Sequence, residues 1–198
     1  MRVLVACEYS GVVRNAFLAL GHDAVSCDLL PSDSPGPHYE GDVFDIIGNG
    51  WDLMIAHPPC TYLSNSGVRW LSTQEGRWEN MREGALFFRG LLNTDIPRIA
   101  VENPIMHKYA VNIIGKRQTQ IVQPWMFGHP ETKATGLWLR NLPPLRPTYN
   151  VYEHMMTLPK AERNRVHYAS PGPERWKLRS TTYKGIAAAM AAQWGSLD

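Results

Sequence analysis

The chain is predicted to be an α/β protein, a mostly parallel sheet with helices on both faces. Three observations predict this. Arg2 to Ala6 and Leu53 to Ala56 are short, continuous apolar runs, the signature of strands buried on both faces of a parallel sheet. The first run is followed by a glycine-containing turn, a stretch of helical spacing and another strand, which makes a βαβ opening. Two strands also stop abruptly at polar chemistry, one at His57-Pro58-Pro59-Cys60 and one at Glu102-Asn103-Pro104. In open α/β sheets, ligands bind at the carboxyl ends of the strands.

Composition agrees with this class. The 198 residues, 44% hydrophobic and 19% charged, suit one domain with a modest appendage. A net charge of +2 permits nucleic acid without requiring it. The three cysteines, Cys7, Cys27 and Cys60, are an odd number with no close pair, so a reducing compartment is expected rather than a disulfide framework. The chain opens as a strand rather than a secretion signal, and no apolar run approaches the roughly 20 residues of a membrane span. A soluble, cytoplasmic protein with no membrane partner is expected.

Taken in order, Arg2 to Ala6 is strand one and Cys7-Glu8-Tyr9-Ser10-Gly11 a turn. Val12 to Leu20 has helical spacing, with Val13, Phe17 and Leu20 on one side and Gly21 as a stop. Ala24 to Cys27 is strand two, ending at Asp28. Such a unit places a ligand near a helix N-terminus and an acid near ribose hydroxyls. Val13 and Arg14 stand where a GxGxxG turn would carry further glycines, so the motif alone is equally compatible with a plain βαβ unit. Residues 29–40, rich in proline and serine, read as a loop. Gly41-Asp42-Val43 reads as an acidic turn.

Pro58 and Pro59 end the Leu53 to Ala56 strand, because neither can donate to a ladder. They also stiffen the loop that carries Cys60. A free cysteine is ordinarily an inert core residue. Here a second strand end supplies a carboxylate, Glu102, and the two make a nucleophile and a candidate proton donor in one crevice. Between them, Thr73 to Leu92 reads as a helix, with Phe87, Leu91 and Leu92 apolar and Arg77, Arg82 and Glu83 polar. Gln118 to Met126 and Ala134 to Arg140 read as strands, with Thr132 to Thr135 as a hairpin turn. Residues 141–180 lose periodicity. They mix prolines, Pro173 among them, with basic residues such as Arg163, Arg165, Arg175 and Lys177 and aromatics such as Tyr149, Tyr152 and Trp176. That pattern fits either a solvated loop or a nucleic-acid contact. Lys184 to Trp194 is an alanine-rich helix.

Together these residues resemble the cytosine-C5 DNA methyltransferases. The likeness is strongest at Pro58-Pro59-Cys60-Thr61-Tyr62-Leu63-Ser64-Asn65-Ser66-Gly67 and continues at Glu102-Asn103-Pro104. Gly41-Asp42-Val43 resembles the family's adenine-contacting turn, Asp28 its ribose-holding acid, and Cys7 to Gly11 its first motif, with Tyr9 in the aromatic position. Order and spacing agree over residues 1–105. The resemblance implies a Rossmann-like S-adenosylmethionine-dependent methyltransferase fold. It implies S-adenosylmethionine as cofactor, held by Tyr9, Ser10, Gly11, Asp28, Asp42 and Pro58, and DNA as partner. Cys60 would add to cytosine C6. Glu102, kept neutral by burial, would donate to ring N3. A base inside a duplex would have to be flipped out. Ser64, Asn103, Arg117, Gln118 and Gln120 are the implied substrate-side residues, with Asn103 holding the loop.

Departures from the family pattern are visible. Lys116-Arg117-Gln118-Thr119-Gln120 carries an incomplete arginine motif, and only 141–180 is left for target recognition. The expected organisation is a 1–140 core, a 141–180 recognition segment and a 181–198 helix packed back on the core. An accessory protein or a homodimer would complete recognition, and the compactness resembles phage-encoded enzymes. The alternatives are a same-fold methyltransferase acting on RNA, a free nucleotide or a protein, and a silent binding protein. A zinc nucleobase deaminase is a further rival that the residues disfavour, because Leu63 stands where the second cysteine of Pro-Cys-x-x-Cys belongs and no His-x-Glu occurs. No metal is proposed.

Overall fold

The computed structural model describes residues 1–172 and 175–197; Pro173, Glu174 and Asp198 lie outside them. In chain order the core elements are β1 (Arg2–Ala6), α1 (Val12–Ala19), β2 (Asp23–Asp28), β3 (His38–Glu40), β4 (Leu53–Ala56), α2 (Arg77–Leu92), β5 (Arg98–Pro104), α3 (Lys108–Ile114), β6 (Gln120–Val122) and β7 (Thr135–Arg140). Four short helices follow: α4 (Tyr152–Thr157), α5 (Lys160–Arg163), α6 (Arg165–Tyr168) and α7 (Arg175–Ser180). The last helix is α8 (Lys184–Trp194).

The described residues form a seven-stranded sheet in the order β3-β2-β1-β4-β5-β7-β6. β3, β2, β1, β4 and β5 run parallel; β7 is antiparallel to both β5 and β6. This is the Rossmann-like methyltransferase fold that the motifs imply. Strand alternation divides the core. Leu4, Met54, Ile99 and Val101 face one layer with α2 and α3. Val3, Val5, Leu53, Ile55 and Ala100 face the other, where α1 and α8 pack with Phe17 and Trp194. Burying each such aliphatic side chain stabilises the fold by about 1.5–3 kcal/mol, so β1 and β4, apolar on both faces, anchor the sheet.

Four expectations change. His38–Glu40 is not loop but a strand beside β2, paired through Ser26, Cys27 and Asp28. The helix expected from Thr73 starts at Arg77, because Asn65–Ser72 takes tight 3-10 turns and Gly76 breaks the path at φ +69°. α3 was not expected; the His107 ring caps it by accepting from the Ala110 amide at 3.2 Å. The strand expected over 118–126 shortens to Gln120–Val122, since Pro124 has no amide to continue the ladder.

The proline-serine loop is also more ordered than its composition suggests. Arg14 is fully buried. Its guanidinium donates to Ser26 Oγ, Ser32 Oγ, Ser34 O and Oγ, and Pro35 O at 2.9–3.1 Å. A Cβ at Gly11 would lie 2.3 Å from that guanidinium, and Gly11 sits at φ +69°. Only glycine suits that place.

Candidate active site

β4 and β5 are parallel neighbours with Ala56 opposite Val101, so the Cys60 loop and Glu102 leave the sheet side by side. Asn103, 1% exposed, ties the two ends together. Its Nδ2 donates to Pro58 O at 2.9 Å. The loop then turns on the Cys60 carbonyl, which accepts from the Leu63 and Ser64 amides. His107 Nε2 lies 3.0 Å from Tyr62 O. Arg77 stacks over the Tyr62 ring and donates to Thr61 O. Ser64 lies on this same loop, its hydroxyl 3.1 Å from Ser66 Oγ.

Period-two alternation puts Leu53, Ile55 and His57 on one face of β4, and Ala100 and Glu102 on the matching face of β5. His57 Nδ1 accordingly meets Glu102 Oε2 at 3.0 Å. Both side chains are largely buried, 8% and 16% exposed. His57 Nε2 is buried without a hydrogen-bond partner, as is Asn103 Oδ1. Burial pushes the Glu102 carboxyl up, but the hydrogen bond and charge of His57, with Lys133 behind them, outweigh it and leave the group below the usual carboxylate range. Burial alone would favour the neutral carboxyl expected from the sequence; the His57 partner opposes that effect. Burial pushes the Cys60 thiol up and the Glu102 charge adds to that, against Arg179 and Lys133.

The cofactor-side residues gather at the carboxyl ends of β1, β2 and β3. Glu8, 3% exposed, turns its carboxylate onto the start of α1. There it accepts from the Val13 and Arg14 amides at 2.7 and 3.2 Å and from Ser10 Oγ at 3.2 Å. The helix N-terminus expected to hold a ligand thus already holds a carboxylate. Asp28 Oδ1 accepts from the Leu30 amide, and Asp42 Oδ1 from the Phe44 amide. Burial pushes the Asp28 carboxyl up and, with the Asp28 and Asp42 charges, holds the Cys7 thiol well above its ordinary range. Tyr9 is 7% exposed. Trp176 of α7 lies over it, with ring centroids 5.1 Å apart, and its hydroxyl meets Ser180 Oγ at 3.1 Å.

The described residues between 141 and 180 therefore fold back as a strap. Besides Trp176, Lys177 reaches Asp33, Arg165 pairs with Glu131 at 2.9 Å, and the Arg179 carbonyl accepts from Lys133 Nζ at 2.6 Å. Behind it, a small pocket is lined by Glu102, Lys133, Thr135, Thr182, Tyr183 and Met190. The structure gathers Cys60, Glu102, Pro58, Asn103 and Ser64 at one strand-end cluster, and Tyr9, Ser10, Gly11, Asp28 and Asp42 at the other. It does not gather Arg117, Gln118 and Gln120. The Gln120 side-chain amide is engaged in two hydrogen bonds with the Leu145 backbone. Arg117 is exposed, and it and Gln118 precede β6, further back along the edge of the sheet. The residues that sequence reasoning missed are His57, Lys133 and Arg179. The parity count along β4 and β5 was available for His57. Lys133 sits just before β7, which starts beside Pro104 and runs past Glu102 at Leu137, a placement the hairpin reading concealed.

Neither a family model nor a curated protein sequence matches the chain. Among solved structures it is similar to a putative DNA modification methyltransferase encoded within an E. coli prophage. That likeness has 14% identity and TM-score 0.47, over 81% of this chain and 56% of that one. It is similar to the Entamoeba histolytica methyltransferase EhMeth, at 14% identity and TM-score 0.47, over 76% and 57%. A third likeness is to S. pombe Dnmt2 methyltransferase, at 13% identity and TM-score 0.43, over 83% and 56%. The chain spans just over half the length of these structures.

Proposed function

We propose that the protein transfers a methyl group from S-adenosylmethionine to C5 of cytosine in DNA. One observation carries the reading: a loop cysteine and a buried carboxylate leave adjacent parallel strands together, cross-braced by Asn103 on Pro58. The donor set at the other strand ends fits such a cofactor. Glu8 fills the amide site at the start of α1, where a dinucleotide would place its pyrophosphate, and the proposed cofactor carries no phosphate. Asp28 and Asp42 stand at the ends of β2 and of the turn after β3, where they would meet ribose and adenine; Tyr9, Ser10, Gly11 and Pro58 complete the cradle. When bound, the cofactor supplies an electrophilic methyl on a sulfonium.

The Cys60 thiolate forms a bond to cytosine C6, and the displaced π electrons move into the ring, where N3 takes a proton from the Glu102 side. The resulting enamine has its nucleophilic carbon at C5, which would face the electrophilic methyl that a cofactor held by Tyr9, Asp28, Asp42 and Pro58 would supply. Loss of the C5 proton to solvent water and cleavage of the Cys60–C6 bond restore the aromatic ring and the thiolate. Lys133 and Arg179 stabilise the thiolate electrostatically.

A second reading, the same chemistry on RNA or a free nucleotide, is favoured by the strap: its described residues pack on the core through Trp176, Lys177 and Arg165 rather than standing out as a recognition arm. One assay separates them. Labelled cofactor is offered with duplex DNA, single-stranded DNA, RNA and deoxycytidine nucleotides, wild type beside Cys60→Ser. The expected result is 5-methylcytosine in DNA with wild type, and at least a 10³-fold loss with Cys60→Ser at unchanged circular dichroism. Label in another acceptor selects the second reading. Cofactor bound with no acceptor labelled points to a silent binding protein.

A further inference from the structure

Of the basic and aromatic residues in 141–180 that suit nucleic acid, Trp176, Lys177 and Arg165 are engaged on Tyr9, Asp33 and Glu131. A second set stands open on the α2–α3 side of the sheet. A groove of about 340 Å³ lies there, lined by Trp78, Met81, Arg82, Tyr109 and Ile113, with Glu79 as its acid. Trp78 and Tyr109 meet edge to face, ring centroids 5.0 Å apart, yet they are 48% and 37% exposed. A pair serving only the core would be covered. Lys108 Nζ lies 5.1 Å from the centre of the Tyr109 ring. On the 65–72 turns that precede α2, Arg69 lies over the exposed Trp70 ring. Among the described residues, none of Arg69, Arg82 and Lys108 has an ion-pair partner. The groove is also continuous with the Cys60 loop. Arg77, directly before Trp78, covers the Tyr62 ring and donates to Thr61 O. His107, two residues before Tyr109, reaches Tyr62 O. The residues that brace the loop thus lead straight into the aromatic pair.

Resting on the reading above, we propose that this groove takes the base next to the target cytosine in an unpaired strand of nucleic acid. Every base offers a π-face to an aromatic side chain, and cations alongside meet the phosphates. With one base turned into the crevice beside Cys60, the strand continues past Tyr62 and Arg77, and its neighbour stacks at Trp78 and Tyr109. Arg69, Arg82 and Lys108 frame that path, three cations against Glu79. This balance suits a polyanion that carries rings. An apolar peptide would have no use for the cations, and a second copy of the chain would set like charges against one another.

The test is binding of labelled thymine oligonucleotides with one central cytosine to the full chain, followed by fluorescence anisotropy at one fixed salt concentration. Trp78→Leu keeps apolar bulk but removes the ring, and Trp78→Phe keeps a ring. Trp78→Leu is expected to weaken binding about 10- to 30-fold, and Trp78→Phe to stay within about 3-fold of wild type. Iodoacetamide should alkylate Cys60 at the wild-type rate in both, which shows the loop intact. An abasic residue in place of the thymine on one side of the cytosine should cost wild type the same factor and cost Trp78→Leu nothing further. Equal binding by wild type and Trp78→Leu overturns the inference, as does an abasic loss that adds in full to the loss in the variant. A variant that alters self-association of the chain, with oligonucleotide affinity unchanged, makes the groove an interface between copies and also overturns it. A ribonucleotide series run alongside tells a DNA strand from an RNA strand, with the same coupling expected in the tighter of the two. If the coupling is found and no cytosine is methylated, the functional reading fails and the groove stands. Methylation with no dependence on Trp78 keeps that reading and overturns the inference.

Discussion

Two half-buried groups with opposed demands share the crevice. Cys60 must lose a proton to attack, and burial together with Glu102 makes that harder. Replacing Glu102 by glutamine removes the charge that opposes thiolate formation. Alkylation of Cys60 by iodoacetamide at neutral pH is therefore expected to quicken several-fold in Glu102→Gln, while methyl transfer falls by 10² or more. Both rates falling together would show that Glu102 serves the thiol rather than the base. Lys133→Met should act in the reverse sense. It removes a cation that lowers the Cys60 value, so the rising limb of the alkylation profile moves to higher pH. Of this site, Cys60 and Glu102 were legible because apolar runs announce strand ends and proline fixes where they stop. His57 was present in the same motif but its role was hidden, since a histidine's meaning lies in what faces it across the sheet.

At the scale of elements, Arg14 shows how a departure from a motif becomes a structural device. Its guanidinium gathers hydroxyls and carbonyls from Ser26, Ser32, Ser34 and Pro35, so α1 and the 29–37 loop behave as one unit. Arg14→Met is expected to cost about 2–4 kcal/mol in urea unfolding, since several buried acceptors lose their donor at once, and to open the loop to proteolysis. Composition marked this stretch as irregular, which is right for its backbone. Its order comes from a residue that lies outside it in the chain, and local pattern does not carry that. The shortening of β6 at Pro124 was, by contrast, a local signal, as was the start of α2 after Gly76. The four short helices of residues 141–180 stayed invisible because each is shorter than the window in which helical periodicity is measurable.

Across the whole molecule, the helix layer on the α1–α8 face contains two histidines whose protonation the fold opposes. His129 and His22 are both held below the ordinary imidazole range by burial, with Glu131 opposing the effect at His129 and the N-terminal ammonium adding to it at His22. His129 Nε2 accepts from the Gly185 amide at the first turn of α8 at 3.0 Å, a role that a protonated nitrogen cannot fill. A group with a depressed imidazole value binds its proton more readily in the unfolded chain. Stability is therefore full above about pH 6.5 and declines as pH falls below it. Thermal unfolding at pH 5 should fall below that at pH 7.5, and His129→Gln should reduce the difference. Gly185 tests the same joint sterically. A Cβ there would lie 1.9 Å from Phe127 O, so Gly185→Ala is expected to lower the melting temperature at every pH.

The pairing of α1 with α8 has a further consequence during synthesis. α1 and α8 lie far apart in sequence, yet they cover one another on the same face of the sheet, with Phe17 and Trp194 in one cluster. While the ribosome is still translating the middle of the gene, the apolar side of β1 and α1 has no cover. Folding of that face must wait until α8 has emerged. A stalled or prematurely terminated product would carry a complete Cys60 motif on a half-sheltered sheet, a form suited to chaperone capture and degradation.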